Sequence, residues 1–383
     1  MTNPAQDDTT GRYLVLLEDD AAAAGTEALG RLAGISAPAE DSADGLVFST
    51  LGVAVVDADP DQAGALTRAA AEVGPIAQVE MERRVYAISA AAEAAPVGQA
   101  DESAFTWGLQ AVGAHVSKAT GAGIRVAVLD TGFDLAHPDF AGRAVTSESF
   151  VAGEPVQDGH GHGTHCIGTA CGPRDPAAGP GYGAAPEAEI FAGKVLSDEG
   201  SGTDGGILAG IAWAVSHGCP IVSMSLGAAV RPGTPYSRTY ERVASRALAQ
   251  GTLIIAAAGN ESRRQNGQIN PVGHPANCPS VLAVGATDVN TALAWFSCGT
   301  VDQIGAVDIV GPGVDVYSSW PQPQGYNRIS GTSMATPHVA GVAALIAQAT
   351  GARSWELWAR LAQAARRLPL PSTDVGAGLV AAP

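Results

Sequence analysis

Four polar residues of this 383-residue chain stand where apolar segments begin or end, and their types make a set. Asp130 closes the run IRVAVLD, and His162 lies within DGHGHGTHCIGTACG. Asn260 closes TLIIAAAGN, and Ser333 opens a small-residue helix in GTSMATPHVAG. A serine hydroxyl is too weak an acid to attack unaided and needs a base poised near neutral pH, which imidazole supplies. The imidazole needs a carboxylate to fix its tautomer and stabilise imidazolium. The charge that develops on an attacked carbonyl needs a donor, such as the Asn260 amide. The helix N-terminus at Ser333 adds unpaired N–H groups and positive partial charge. Alone, each residue has a plainer role, Asp130 as a cap or turn former and Asn260 as a turn residue. His160, His162 and His165 crowd into six residues and suggest a metal, although no acid or cysteine pattern completes a zinc motif. Jointly the four describe nucleophilic catalysis at a carbonyl.

Two rhythms carry these residues. From Gly123 onward, apolar runs at 124–130, 190–196, 221–227, 252–260 and 281–288 alternate with helical stretches at 206–218 and 240–251. Continuous apolar strands alternating with helices predict an α/β fold, a parallel sheet covered on both faces. Sites on such sheets form at the carboxyl ends of the strands, where Asp130 and Asn260 lie. Residues 11–88 instead read strand, helix, strand, helix, strand, a small α+β unit. Residues 89–104 follow as an Ala-rich linker, and residues 1–10 are polar and predicted disordered.

VAVLDTG, HGTHCIGT, SMSLG, AAAGNE and GTSMATPHVAG, in that order, resemble the motifs of the subtilisin-like serine proteases, the subtilases of peptidase family S8. The resemblance covers about residues 105–350 and implies a three-layer peptidase domain over 105–383. It implies a serine endopeptidase acting through an acyl-enzyme, with Asp130, His162 and Ser333 catalytic and Asn260 in the oxyanion hole. His165 becomes structural, His160 is left without a role, and Thr332 and His338 belong to the serine motif without being catalytic. The substrate cleft would take Gly200, Ser201 and Gly202 on one edge and Ser225, Leu226 and Gly227 on the other. Ala257, Ala258 and Gly259 would form a further wall of the S1 pocket, with Gly273 at its base and Glu261 near its rim. A roomy pocket of this kind predicts cleavage after large apolar or aromatic residues, and after basic ones through Glu261. Residues 11–88 resemble the family's inhibitory propeptide, which implies a self-processing zymogen cut near 85–88 or within 89–104. Two alternatives stand beside this reading. One is a dedicated protease that removes a leader from one peptide product; the other is a latent binding protein that does no chemistry.

No cofactor is required by this chemistry. Calcium is the one candidate, since Asp139 and Asp308 resemble aspartates of two family calcium sites, yet the Asn-rich calcium loop is replaced by CGPRDPAAGPGYG. Neither aspartate assembles a full oxygen shell alone, and surface acids in turns are an equal reading. The net charge is −17, and residues 1–100, with 16 Asp and Glu against 5 Arg, carry −11 of it. Such acidity excludes nucleic acid as a partner, and no run suits a bilayer. The partners expected are a peptide or protein substrate and the chain's own propeptide, with the protein a monomer. The opening MTNPAQDDTT lacks the basic and apolar regions of a signal peptide, so the expected location is the cytoplasm, or outside the cell if a leader has been removed. Five cysteines cannot form a complete internal disulfide set. Cys278 and Cys298 are the one pair considered, and Cys166 is read as a small buried apolar residue.

Overall fold

A computed structural model describes residues 8–19, 21–33, 47–88 and 100–383. Residues 1–7, and 89–99 of the linker, lie outside the described residues. The first unit runs β1 (Thr9–Leu17), α1 (Ala22–Ala33), β2 (Val47–Phe48), β3 (Val53–Val56), α2 (Pro60–Ala70) and β4 (Ile76–Ala87). Its first strand begins at Thr9, inside the segment expected to be disordered, because Thr9 pairs with Arg83 of β4. The antiparallel sheet has the order β4-β1-β3-β2. All four residues of β3 are buried, and the alternation along its strands explains why. Val15, Leu17, Ala54 and Val56 pack under α1 and α2, while Leu14, Val53 and Val55 join the core of the second unit. A strand whose two faces both meet protein has no use for polar alternation.

The second unit contains α3 (Trp107–Ala111), β5 (Arg125–Asp130), β6 (Val145–Ser149), α4 (His162–Cys171), β7 (Glu189–Lys194), β8 (Ser201–Thr203) and α5 (Asp204–Ser216). Next come β9 (Ile221–Met224), β10 (Leu226–Gly227), α6 (Arg238–Ala249), β11 (Leu253–Ala257), β12 (Leu282–Thr287) and β13 (Ile309–Pro312). The chain ends with the hairpin β14 (Val316–Ser319) and β15 (Tyr326–Ile329), then α7 (Thr332–Thr350), α8 (Ser354–Ala364) and α9 (Ser372–Val375). Seven strands form one sheet of order β13-β12-β11-β9-β5-β7-β6, and every neighbouring pair is parallel. Side chains divide between its faces with a period of two. Val126, Val128, Ile190 and Ile255 pack with α4 and α7; Ala127, Leu129, Phe191 and Ile254 pack with α5 and α6. Pro337 lies in the first turns of α7, which is buried from Thr332 to Ala347. The α/β architecture agrees with the expectation, as do the strands and helices predicted from apolar runs.

The two units share a sheet. β4 lies antiparallel between β8 and β10, with Val85 opposite Gly202, Tyr86 opposite Ser201, and Ala87 opposite Leu226. The last residues of the first unit therefore run as an inserted strand across the second, directly over the carboxyl ends of its strands.

Candidate active site

Asp130 is the last residue of β5 and 1 % exposed. Its Oδ1 accepts the Thr131 N–H at 2.7 Å and lies 2.8 Å from Nδ1 of His162, at the start of α4. Fixing Nδ1 this way leaves Nε2 as the basic nitrogen. Burial works against a charged imidazole, but the Asp130 carboxylate, with the Cys166 sulfur beside the ring, outweighs it and holds the His162 pKa well above the ordinary value. Cys166, one turn along α4, has Sγ 3.9 Å from Nδ1. Burial pushes that thiol up to about 11, so it is neutral at physiological pH and Asp130 is the operative charge beside the imidazole.

The glycine-rich turn before His162 is organised by Asp158, a residue the sequence reading passed over. Its buried carboxylate accepts Thr131 Oγ1, the His160 and Gly161 N–H groups, and both the N–H and hydroxyl of Thr164. One aspartate thus ties the end of β5 to the first turn of α4. The available signal was its place, four residues before His162 in a segment too rich in glycine to hold itself in shape. The three histidines diverge. His165 Nε2 meets the Val316 carbonyl at 2.9 Å, and burial lowers its pKa to about 3. His160 stands beside Gly200. The His160 and His162 rings meet edge-on at 6.2 Å, and the three imidazoles form no metal-holding group among the described residues.

Ser333 is the second residue of α7. Its hydroxyl donates to the carbonyl of Ile88, the residue that follows β4, and lies 3.2 Å from the Ser225 carbonyl. His162 Nε2 has no hydrogen-bond partner. The hydroxyl expected to face the imidazole is instead turned to the carbonyl delivered by the chain's own inserted strand. Asn260 is oriented by Thr332, whose backbone N–H and hydroxyl both lie 2.9 Å from Oδ1. A backbone N–H can only donate, so the facing atom is the amide oxygen and Nδ2 is the free donor. That Nδ2 is buried without a partner. A Cβ at Gly331 would meet both this Nδ2, at 3.0 Å, and the Ile88 carbonyl oxygen, at 2.9 Å. Only glycine leaves that space for a carbonyl between donor and nucleophile.

Six of the expected cleft residues pair with the inserted strand or with Ile88. The Gly200 carbonyl accepts the Ala87 N–H at 2.9 Å, Ser201 and Gly202 lie in β8, and the Ser225 carbonyl accepts the Ile88 N–H at 3.3 Å. Leu226 and Gly227 form β10, where a Cβ on Gly227 would come 3.1 Å from Ile88 Cδ1. Ala257 and Ala258 are buried, Gly259 adopts φ +114°, and the Gly273 N–H is bonded to the Ala258 carbonyl at 2.9 Å. Glu261 Oε2 lies 3.2 Å from Cys298 Sγ.

Asp139 does not suit a cation. Its Oδ1 accepts the Ala177 N–H at 2.7 Å, and its Oδ2 accepts the Tyr182 hydroxyl at 2.7 Å. The Tyr326 hydroxyl is shared by both oxygens at 3.1 and 3.0 Å. These donors take the lone pairs that a calcium ion needs. Asp308 accepts one N–H, from Ala283 at 2.8 Å, and burial raises its pKa to about 7. Among the described residues, the group of three clustered His, Cys, Asp or Glu side chains is Asp130, His162 and Cys166. All five cysteines are free thiols. Cys278 Sγ faces the Ser237 carbonyl and Cys298 faces Glu261, so the pair considered from sequence does not form. No helix among the described residues is long and apolar enough to cross a membrane.

A parallel α/β sheet that places a carboxylate, an imidazole, a serine at a helix start and a free amide donor around one cleft defines a serine endopeptidase. Residues 121–378 match the model of the subtilase family, Peptidase S8. M-protease of Shouchella clausii (strain KSM-K16) is 39 % identical over 306 residues, covering 79 % of this chain and 70 % of that protein. Subtilisin Savinase of Lederbergia lenta is 43 % identical over 247 residues, covering 63 % and 84 %. Subtilisin E of Bacillus subtilis (strain 168) is 40 % identical over 240 residues, covering 62 % and 59 %. The chain belongs to the subtilase family.

Proposed function

We propose that this serine endopeptidase is made as a zymogen that cuts its own chain after Ile88, and that residues 9–88 then stay in the cleft as a product-like inhibitor. The observation that carries this reading is the Ile88 carbonyl held by the Ser333 hydroxyl beside the free Nδ2 of Asn260. In the proposed reaction Ser333 Oγ attacks the Ile88 carbonyl carbon while His162 Nε2 takes its proton. Asp130 holds the imidazolium, and Asn260 Nδ2 with the Ser333 N–H binds the oxyanion. Collapse expels the amine of Ser89, protonated by His162, and water releases the acyl group from Ser333.

The same cleft would take an extended polypeptide substrate in place of β4, bound through main-chain hydrogen bonds to β8 and β10. Ile88 against Gly227 supports an apolar residue before the cut. Calcium at Asp139 is not proposed, because three hydroxyl and amide donors already face that carboxylate.

Expression of the full chain should yield a new N-terminus at Ser89, read by intact mass and N-terminal sequencing, and a fluorophosphonate probe should label Ser333. The Ser333→Ala chain should stay intact. Maturation of that variant at the normal rate would remove self-cleavage from the proposal.

A further inference from the structure

β8 can pair with a substrate strand only as far as Thr203, because the next residue begins α5. Counting upstream from the bond after Ile88, Tyr86, Val85 and Arg84 are the third, fourth and fifth residues, and they lie opposite Ser201, Gly202 and Thr203. The sixth, Arg83, has no residue of β8 to meet. Its backbone N–H instead donates to Oδ2 of Asp204 at 3.0 Å. The ladder is continued by a side chain where the enzyme's own backbone turns away.

Asp204 is built for this place. It is 1 % exposed, and its other oxygen, Oδ1, lies 3.0 Å from Nε2 of the equally buried His274. The His274 ring meets Tyr240 edge-on at 4.7 Å, and the Tyr240 hydroxyl donates to the Asp204 carbonyl at 2.9 Å. His274 Nδ1 has no partner, so the imidazole's hydrogen bonding is spent on Asp204 alone. The carboxylate is thereby fixed with Oδ2 facing the incoming chain. In the full chain the Gly205 and Gly206 N–H groups in the first turn of α5 bond to Glu82 of β4 and to Thr203, not to Asp204.

Resting on the cleft proposed above, we propose that Asp204, positioned by His274, is a binding residue for the main-chain N–H of the sixth substrate residue upstream of the cleaved bond. The preferred substrate is then an extended polypeptide with at least six residues before the cut, whose sixth residue has an N–H and so is not proline.

The test uses the processed wild-type enzyme and two peptides of one sequence with seven residues before an apolar cut site. One is all amide. In the other the sixth residue is replaced by its α-hydroxy acid, so that an ester oxygen stands where the N–H was. A hydrogen bond to a charged acceptor predicts a kcat/KM about tenfold or more higher for the amide peptide. Asp204→Ala should bring that ratio close to one. If that variant does not fold, Asp204→Asn, which keeps an acceptor oxygen without the charge, should give a smaller ratio than wild type. Equal cleavage of both peptides by the wild type, or an undiminished ratio in the variants, overturns the role of Asp204. No turnover of either peptide would instead overturn the cleft itself.

Discussion

At the scale of single residues, charge and burial set what the site can do. The raised pKa of His162 comes from Asp130 overcoming burial. Departure of the inserted strand lessens that burial and leaves Asp130 in place, so the pKa stays above the ordinary imidazole value. Only the neutral imidazole is a base, so kcat/KM should rise with pH to a midpoint above 6.5 in the processed enzyme. Asp130→Asn should lower that midpoint and cut kcat by about 10⁴; a midpoint unmoved by the change would show that Asp130 does not govern the base. Asn260→Ala should lose about 10²–10³ in kcat with little change in KM, the order of magnitude established for this donor in a subtilisin. Asp308 offers a stability test, best made in the Ser333→Ala chain so that nothing is digested. Its folded pKa of about 7 stands above the unfolded 3.8. Its stabilising contribution is therefore present below pH 3.8 and lost as pH rises through 7. Asp308→Asn should flatten the fall in melting temperature between those limits, and an unchanged slope would assign that fall to other groups.

At the scale of elements, the tyrosines around Asp139 do what a bound ion does, which is to hold separate segments together. Asp139 follows β5, Tyr182 and Ala177 belong to the loop after α4, and Tyr326 begins β15. Tyr326 also stacks on Tyr317 at 5.3 Å across the hairpin. Melting of the Ser333→Ala chain should therefore be insensitive to EDTA and to added calcium. Tyr326→Phe, which loses the shared hydroxyl and leaves a carboxylate less satisfied, should cost about 1–3 kcal/mol. A large drop in melting temperature on chelation would show that an ion, not the tyrosines, carries the load. This lock was not legible in the sequence. Asp139 and the missing Asn-rich loop were visible, but the hydroxyls that bond to Asp139 come from positions 43 and 187 residues away. The strands and helices of the central sheet were legible because apolar runs and glycine stops are local signals. For the same reason β6 (VTSES), with exposed and half-buried residues only, gave no apolar run to read. The four polar residues were read by type, and three of them by their place at strand ends and a helix start. Asp158, Thr332 and Asp204 act through hydrogen bonds that only the fold brings about.

At the scale of the whole molecule, the question is what would retain the first unit after the proposed cut at Ile88. β4 contributes two carboxylates to helix starts of the second unit. Glu80 accepts from the Arg238 and Thr239 N–H groups, and Glu82 from that of Gly205. Away from β4, a further contact is made by Arg246 of α6. Its guanidinium donates to the carbonyls of Leu17, Leu51 and Gly52 and to Asp19 Oδ1. Two contributions can be separated here. The Asp19 side chain is 59 % exposed, and exposed ion pairs contribute little, about 0–1 kcal/mol. The Arg246 side chain is 17 % exposed, and its fork donates to three carbonyls at once, of which that of Gly52 also accepts the Leu17 N–H at 2.8 Å. The carbonyl contacts should therefore dominate. In the full chain after self-cleavage, Arg246→Ala should shorten the lag before activity on a short peptide appears by about tenfold, without changing final turnover. Arg246→Lys should not restore it, since an ammonium cannot reach all three carbonyls at once, whereas Asp19→Asn should keep nearly the wild-type lag. If Asp19→Asn shortened the lag as much as Arg246→Ala, retention would depend on the surface charge pair, and the lag would then fall with added salt in the wild type as well.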